Sequence, residues 1–286
     1  MTVAFSCADY SWPHLSQGVV MDVVADLGFT GIDVAVFGTM TSVTVPDVVA
    51  RPRERAMEVR AAAAERGLAV ADVFLTGHHL DLARLSPTSR HPGDVDELSR
   101  IYRGTVEFAD AAGAPGITLL PGVIEEGVTR EEAFARAAES MSELIAMARE
   151  RGLGVSIEPH IGSIVPTAAE VLELVELTPG LQVTLDPGHL VHGGGSLEAE
   201  VLPLVPVTRH LQARFGGPGA MQSRRADNRI DYARIVEALL DGGYEGWLAS
   251  EFVWMAKWDC DRVDNVAEAA GMLEYLREIV REYEGR

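Results

Sequence analysis

A chain of 286 residues that is 47% hydrophobic can bury one large core, and this length is ordinary for an α/β barrel. Its 43 acidic and 24 basic residues give a formal net charge of −19, which repels the phosphates of nucleic acids and of anionic membranes and disfavours both as partners. No apolar run approaches the ~20 residues of a membrane span, no Lys or Arg precedes Arg51, and two distant cysteines, Cys7 and Cys260, suit reduced thiols, so a cytoplasmic protein is expected.

A first strand is predicted over 3–7, followed by a helix over 19–27 that Gly28 stops. Gly31–Phe37 is the second strand, and Asp33 within it reads as an inward polar group of a barrel layer ahead of any ligand role. One helix rich in Ala and Arg is predicted over 46–67, then a third strand over 68–76 that ends in Gly77-His78-His79. Paired histidines after a barrel strand suit a metal or a substrate hydroxyl, and a solvated loop equally; His79 is carried forward as a candidate substrate contact. The irregular stretch up to Gly93, with Pro87, His91 and Pro92, reads as a lid.

A helix over 94–113 carries Asp94 and Asp96 in its first turn, where carboxylates suit the helix dipole. The fourth strand covers 116–121, and Thr129-Arg-Glu-Glu132 is a capping box that opens a helix ending at Glu150. A fifth strand carries Glu158, with His160 two residues on. Ala168–Leu177 is a short helix, and the sixth strand runs Gln182-Val-Thr-Leu-Asp-Pro-Gly-His189, where Pro187-Gly188 is expected to turn the chain and leave His189 on a loop. Gly193 to Gly195 lacks the spacing and the lysine of a P-loop and reads as a plain loop. The seventh strand covers 207–214, the loop 216–228 holds Gln222, Arg224 and Arg225 as a local basic spot, a helix covers 230–240, the eighth strand covers 246–253, and a closing helix covers 263–283. Eight strand-helix units with no linker or change of composition predict a (β/α)8 TIM barrel forming one domain over 1–286.

Four successive strands end in polar residues: Glu158, Asp186, a position on the seventh strand, and Glu251. Any one of these acids alone could be a strand-end cap or an ion-pair partner. Together they describe a hard, oxygen-rich divalent site at one end of a barrel. On the seventh strand His210, Gln212 and Arg214 share one face by the period of two, so the residues alone leave either His210 or Gln212 at ligand height. Two carboxylates flanking a substrate carbon can exchange a proton next to a carbonyl while a cation stabilises the developing charge.

The runs Ile157-Glu-Pro-His160, Thr184-Leu-Asp-Pro-Gly-His189, His210-Leu-Gln-Ala-Arg214 and Ser250-Glu-Phe252 resemble the xylose isomerase-like barrel superfamily, and within it the sugar phosphate isomerases/epimerases, relatives of ketose 3-epimerases and inosose isomerases and dehydratases. The resemblance implies metal ligands Glu158, Asp186, Gln212 and Glu251, with Glu158 and Glu251 doubling as proton carriers. It implies that His189 contacts substrate oxygens, and more loosely that Arg214 does; His160 joins this set as a neighbour of Glu158. Gln212 stands where those epimerases have histidine, and its harder oxygen favours Mn²⁺, with Mg²⁺ or Co²⁺ as substitutes, over Zn²⁺.

The function expected is a metal-dependent isomerase or epimerase of a sugar or polyol ketone, working through an enediolate. A metal-dependent lyase, either a dehydratase or a C–C or C-glycoside cleaving enzyme, is the alternative, and a non-catalytic sugar-binding barrel is a third reading. A Schiff-base aldolase is disfavoured, because the only lysine, Lys257, lies past the eighth strand. The expected partner is a small sugar or polyol; self-association into a homo-oligomer is allowed.

Overall fold

The computed structural model describes residues 3–38, 41–78 and 81–286. Eight parallel strands close into a barrel in chain order. They are β1 (Ala4–Ala8), β2 (Gly31–Phe37), β3 (Ala69–Thr76), β4 (Gly116–Leu119), β5 (Gly154–Ile157), β6 (Leu181–Leu185), β7 (Thr208–Ala213) and β8 (Trp247–Ser250). The ring is sealed by pairing of β1 with β8, in register from Ala4 opposite Trp247 to Cys7 opposite Ser250. Among the described residues no helix is long and apolar enough to cross a membrane.

The outer helices are α1 (Gln17–Asp26), α2 (Val45–Ala50), α3 (Pro52–Ala64), α4 (Pro92–Ala112), α5 (Arg130–Arg149), α6 (Ala168–Leu177), α7 (Pro187–His192), α8 (Tyr232–Asp241) and α9 (Asn265–Glu284). The single helix expected over 46–67 is two. Arg51 precedes Pro52, whose ring disfavours a helical residue before it, and Arg51 adopts φ −147° and ψ 53°. The expected turn at Pro187-Gly188 is instead the first turn of α7: proline needs no amide partner at the first helical position, and the Asp186 carboxylate accepts from the Gly188 amide at 2.7 Å. His189 therefore sits on a helix, held more firmly than a loop would hold it.

Inside the barrel, period-two alternation stacks polar side chains at the N-terminal end. Thr184 hydroxyl lies 2.6 Å from that of Thr118 and 2.7 Å from that of Ser156, and Thr118 donates to Asp72 at 2.5 Å. Arg209 completes this floor, donating to Asp72 at 2.6 Å and to Ser156 at 2.8 Å. Its neighbour His210 also points inward, against simple alternation. A bulge between β6 and β7 explains both, since Thr208 pairs with Val183 and His210 with Thr184, leaving Arg209 as the extra residue. Close approach of the Arg209 side chain also requires glycine at 116 and 154, where an added Cβ would lie 2.6 Å from it.

Two apolar clusters follow from this architecture. The larger packs the outer faces of the strands against the helices. A smaller one lies inside the C-terminal mouth, formed by Ala8, Tyr10, Ala35 and Phe74 with Phe37, Leu120 and Val253 against it. Of the basic spot expected at 222–225, Arg225 is neutralised. Arg225 pairs with Glu274 at 2.6 Å and Glu278 at 3.1 Å, while Gln222 donates to the Cys260 carbonyl at 2.7 Å and accepts from the Val253 amide at 2.9 Å, clamping the loops after β7 and β8 together.

Candidate active site

Successive strand ends bring the predicted acids to one place. One carboxylate oxygen each from Glu158, Asp186 and Glu251 lies within 4.8 Å of the other two, and all three residues are buried. Oxygens around one Mg²⁺ stand at most ~4.2 Å apart, so only a small closing-in is needed to hold a cation. Gln212 is fully buried beside them. Its amide nitrogen donates to the Tyr10 hydroxyl at 3.0 Å, and its Oε1 has no hydrogen-bond partner. A buried carbonyl oxygen without a partner, on a side chain linked through Tyr10 to Glu251, is of the donor type that suits a hard divalent cation.

The arginine expected at the rim is inside the cluster. Arg214 is 3% exposed; its guanidinium bonds the Asp186 carboxylate, lies 2.8 Å from Glu251 Oε2 and 3.4 Å from His189 Nε2. Three carboxylates against one guanidinium leave about two negative charges when all are ionised, the amount a divalent ion would balance. Each carboxylate oxygen has two lone pairs, so Arg214 and a cation can share the acids.

This crowding has electrostatic consequences. Burial, then repulsion from Glu251 and Asp186, holds Glu158 well above the usual carboxylate range. Burial likewise pushes Glu251 up to about 7 against the pull of Arg214. Beside Glu158, burial lowers His160 to about 4 and carries His189 well below the ordinary imidazole range, so both rings are neutral. His160 donates Nδ1–H to the Ile161 carbonyl at 2.8 Å, and His189 Nδ1 faces the Ile161 amide at 3.5 Å. That leaves His189 Nε2 toward Glu158 and Asp186, 3.6 Å from each. Glu158, His160 and His189 form a second trio able to converge on one ion.

A family model described as xylose isomerase-like TIM barrel matches residues 21–278. The chain belongs to this family. Among relatives, the inosose dehydratase of Clostridium perfringens is 28% identical over 144 residues, which cover 43% of this chain and 48% of that protein; the match thus spans about half of that relative. Among solved structures, a D-psicose 3-epimerase crystallised in the presence of D-fructose superposes with a TM-score of 0.76 at 17% identity, covering 97% of this chain and 99% of that one. A xylose isomerase-like TIM barrel protein from Mycobacterium smegmatis in complex with magnesium gives 0.71 at 16% identity, covering 99% and 98%. At such identities these structures establish the shared fold.

Within this xylose isomerase-like barrel, sequence reading places most candidates together and misses two neighbours. His210 lies one layer below Gln212 and bonds Asp33 at 2.7 Å, whereas Gln212 is linked to Glu251 through the Tyr10 hydroxyl. His79 lies outside the described residues. Its neighbour His78 accepts from the Asp81 amide at 3.1 Å. Tyr10 escaped notice: its hydroxyl donates to Glu251 Oε1 at 2.6 Å, linking the acid to Gln212. The signal was available, because Tyr10 follows β1 in the same pattern of apolar strand then polar tip. Trp258 carried no such signal. It reaches from the loop after β8 to lie 5.7 Å from the His160 ring and 5.9 Å from the His189 ring, in a left-handed backbone conformation (φ 58°) uncommon for its residue type. Above these groups is a cavity of about 440 Å³, walled by Glu158, His160, His189 and Arg214 on one side and by Tyr10, Phe37 and Phe74 on the other.

Proposed function

We propose that this protein is a divalent-metal-dependent isomerase or epimerase of a sugar or polyol ketone, in which Glu158 and Glu251 transfer a proton to and from the carbon beside the carbonyl, through an enediolate. The observation that carries the reading is the convergence of three buried carboxylates at a 440 Å³ cavity; the buried, unpartnered Gln212 Oε1 supports it. Glu158, Asp186, Gln212 and Glu251 would hold the ion, with Mn²⁺ favoured by the all-oxygen set. When bound, it would polarise the substrate carbonyl and offset negative charge as it develops.

The chain's own groups account for the rest. Glu158 on β5 and Glu251 on β8 approach from different parts of the wall, so a ligand between them presents a face to each. Tyr10 fixes Glu251 through Oε1, and Arg214 lies 2.8 Å from Oε2, so the pair would orient this acid toward the reacting carbon. Neutral His189 and His160 orient hydroxyl groups without competing for the carbon-bound proton, and Arg214 holds Asp186 in place. A cytoplasmic site of action belongs to the same reading.

A lyase is the second reading, favoured by the match to proteins named inosose dehydratase. It begins with the same proton removal and differs in expelling a leaving group afterwards. Both readings are tested with a panel of ketoses, inososes and their phosphates in D₂O with Mn²⁺ supplied. Wild type should wash deuterium into the α-carbon of an accepted compound, while Glu158→Gln and Glu251→Gln lose exchange by several orders of magnitude. Near-wild-type exchange in either variant would overturn the two-glutamate mechanism; accumulation of an eliminated product would select the lyase.

A further inference from the structure

A second cavity, of about 390 Å³, opens between α4, α5 and the segment 86–90, and it shares no lining residue with the cavity of the active site. Its two helical walls follow from the spacing of the chain. Leu98, Ser99 and Tyr102 lie on one face of α4, and Arg136, Ser140 and Glu143 lie on one face of α5. Two hydrogen bonds tie these faces together: Ser99 donates to Glu143 Oε1 at 2.5 Å, and the hydroxyls of Tyr102 and Ser140 are 3.0 Å apart. The groove is therefore fixed in width by its own side chains.

Arg136 is the group that this packing leaves unanswered. It is partly buried, and among the described residues it has no hydrogen bond and no ion pair; its Nη1 is shielded from solvent and lacks a partner. The other described arginines withdrawn from solvent, Arg55, Arg66, Arg130, Arg209, Arg214 and Arg277, each bond a carboxylate or a backbone carbonyl. A guanidinium keeps its charge at any working pH, and a buried N–H without an acceptor costs free energy. The chain has 43 acidic residues from which to supply an acceptor, yet the two at this groove do not: Glu143 takes the Ser99 hydroxyl, and Glu139, three residues along the helix, forms no ion pair with Arg136. A second donor stands beside it, because two hydroxyls joined by one bond, those of Tyr102 and Ser140, leave one O–H over.

We infer that the groove between α4 and α5 is a second binding site, separate from the active site, for a small hydroxylated molecule bearing one carboxylate, which Arg136 holds through paired N–H···O bonds. Glu139 and Glu143 accept from the ligand's hydroxyls, and their charge weighs against the second negative charge of a phosphate. The volume is in the range of small-molecule pockets. Calorimetric titration of the full chain with Mn²⁺ present should find D-gluconate bound at least about tenfold more tightly than D-glucitol, its uncharged polyol counterpart, as one charge-assisted pair of bonds implies. Arg136→Gln should reduce that preference to about twofold or less. Glu139→Gln, which removes a repelling charge and keeps an acceptor, should tighten gluconate by about twofold or more, a gain that a folding defect does not produce. Equal affinity for gluconate and glucitol, binding of neither, a preference intact in Arg136→Gln, no gain in Glu139→Gln, or inorganic phosphate bound as tightly as gluconate overturns the inference. A preference that survives Arg136→Gln and is lost in Asp186→Ala would place the carboxylate at the active site instead. If sedimentation shows a dimer that Arg136→Gln splits, and gluconate is not preferred, the missing acceptor belongs to a second copy of the chain and the inference falls.

Discussion

His210→Asn separates the structural from the ligating residue of β7. Asp33 and His210 are 0% and 1% exposed, and their bond of 2.7 Å is the one hydrogen bond of the Asp33 carboxylate among the described residues, its Oδ1 having none there. Removing the imidazole strands a buried charge, and breaking such a pair costs about 3–5 kcal/mol. Unfolding entropy is roughly 0.6 kcal/mol/K for 286 residues, so the melting temperature should fall by about 5–8 °C. Metal affinity should change little, because His210 lies below the ion's oxygens. Gln212→Ala should do the reverse, reducing metal affinity at least about tenfold with a smaller loss of thermal stability. In the double variant Asp33→Asn with His210→Asn, the loss should be smaller than the sum of the single losses, since neither partner is left alone with a charge. Circular dichroism melts and metal titrations of the purified variants measure both quantities. If His210→Asn melts within about 1 °C of wild type while metal affinity falls further than in Gln212→Ala, the ligand is His210.

Asp186→Ala should reduce bound Mn²⁺, measured by elemental analysis after dialysis, and full stoichiometric metal in that variant would rule Asp186 out as a ligand. The start of α4 gives a pH test. Arg84 binds Asp94 through bonds of 2.5 Å and 2.7 Å and holds its carboxyl down to about 2 from 3.8. A carboxylate lowered on folding stabilises the protein above its unfolded value and stops doing so as pH falls through its folded one. Arg84→Met should therefore lower the melting temperature at pH 7 and by much less at pH 2, where Asp94 is half protonated; an equal loss at both would mean that Arg84 acts through packing.

The amino-acid sequence by itself determined the barrel and the identity of the acids. Eight repeats of apolar strand and amphipathic helix leave few ways to bury both faces of a parallel sheet, and inward parity fixes which residue of each strand faces the axis. Glu158, Asp186 and Glu251 were legible for that reason, each being a polar residue at the end of an apolar run. The tertiary structure decided what parity leaves open. A bulge beside Val183 turns both Arg209 and His210 inward, and pairing of His210 with the distant Asp33 sets it one layer below Gln212. Arg214 was expected at the rim, but the pull of three carboxylates from other strands draws its long side chain into the cluster. Trp258 approaches the histidines only because a loop bends through left-handed backbone, and the aromatic wall exists only once β1 to β4 are curled into a common mouth. Local pattern specifies which side a residue faces; what it meets there depends on strands tens to hundreds of residues away.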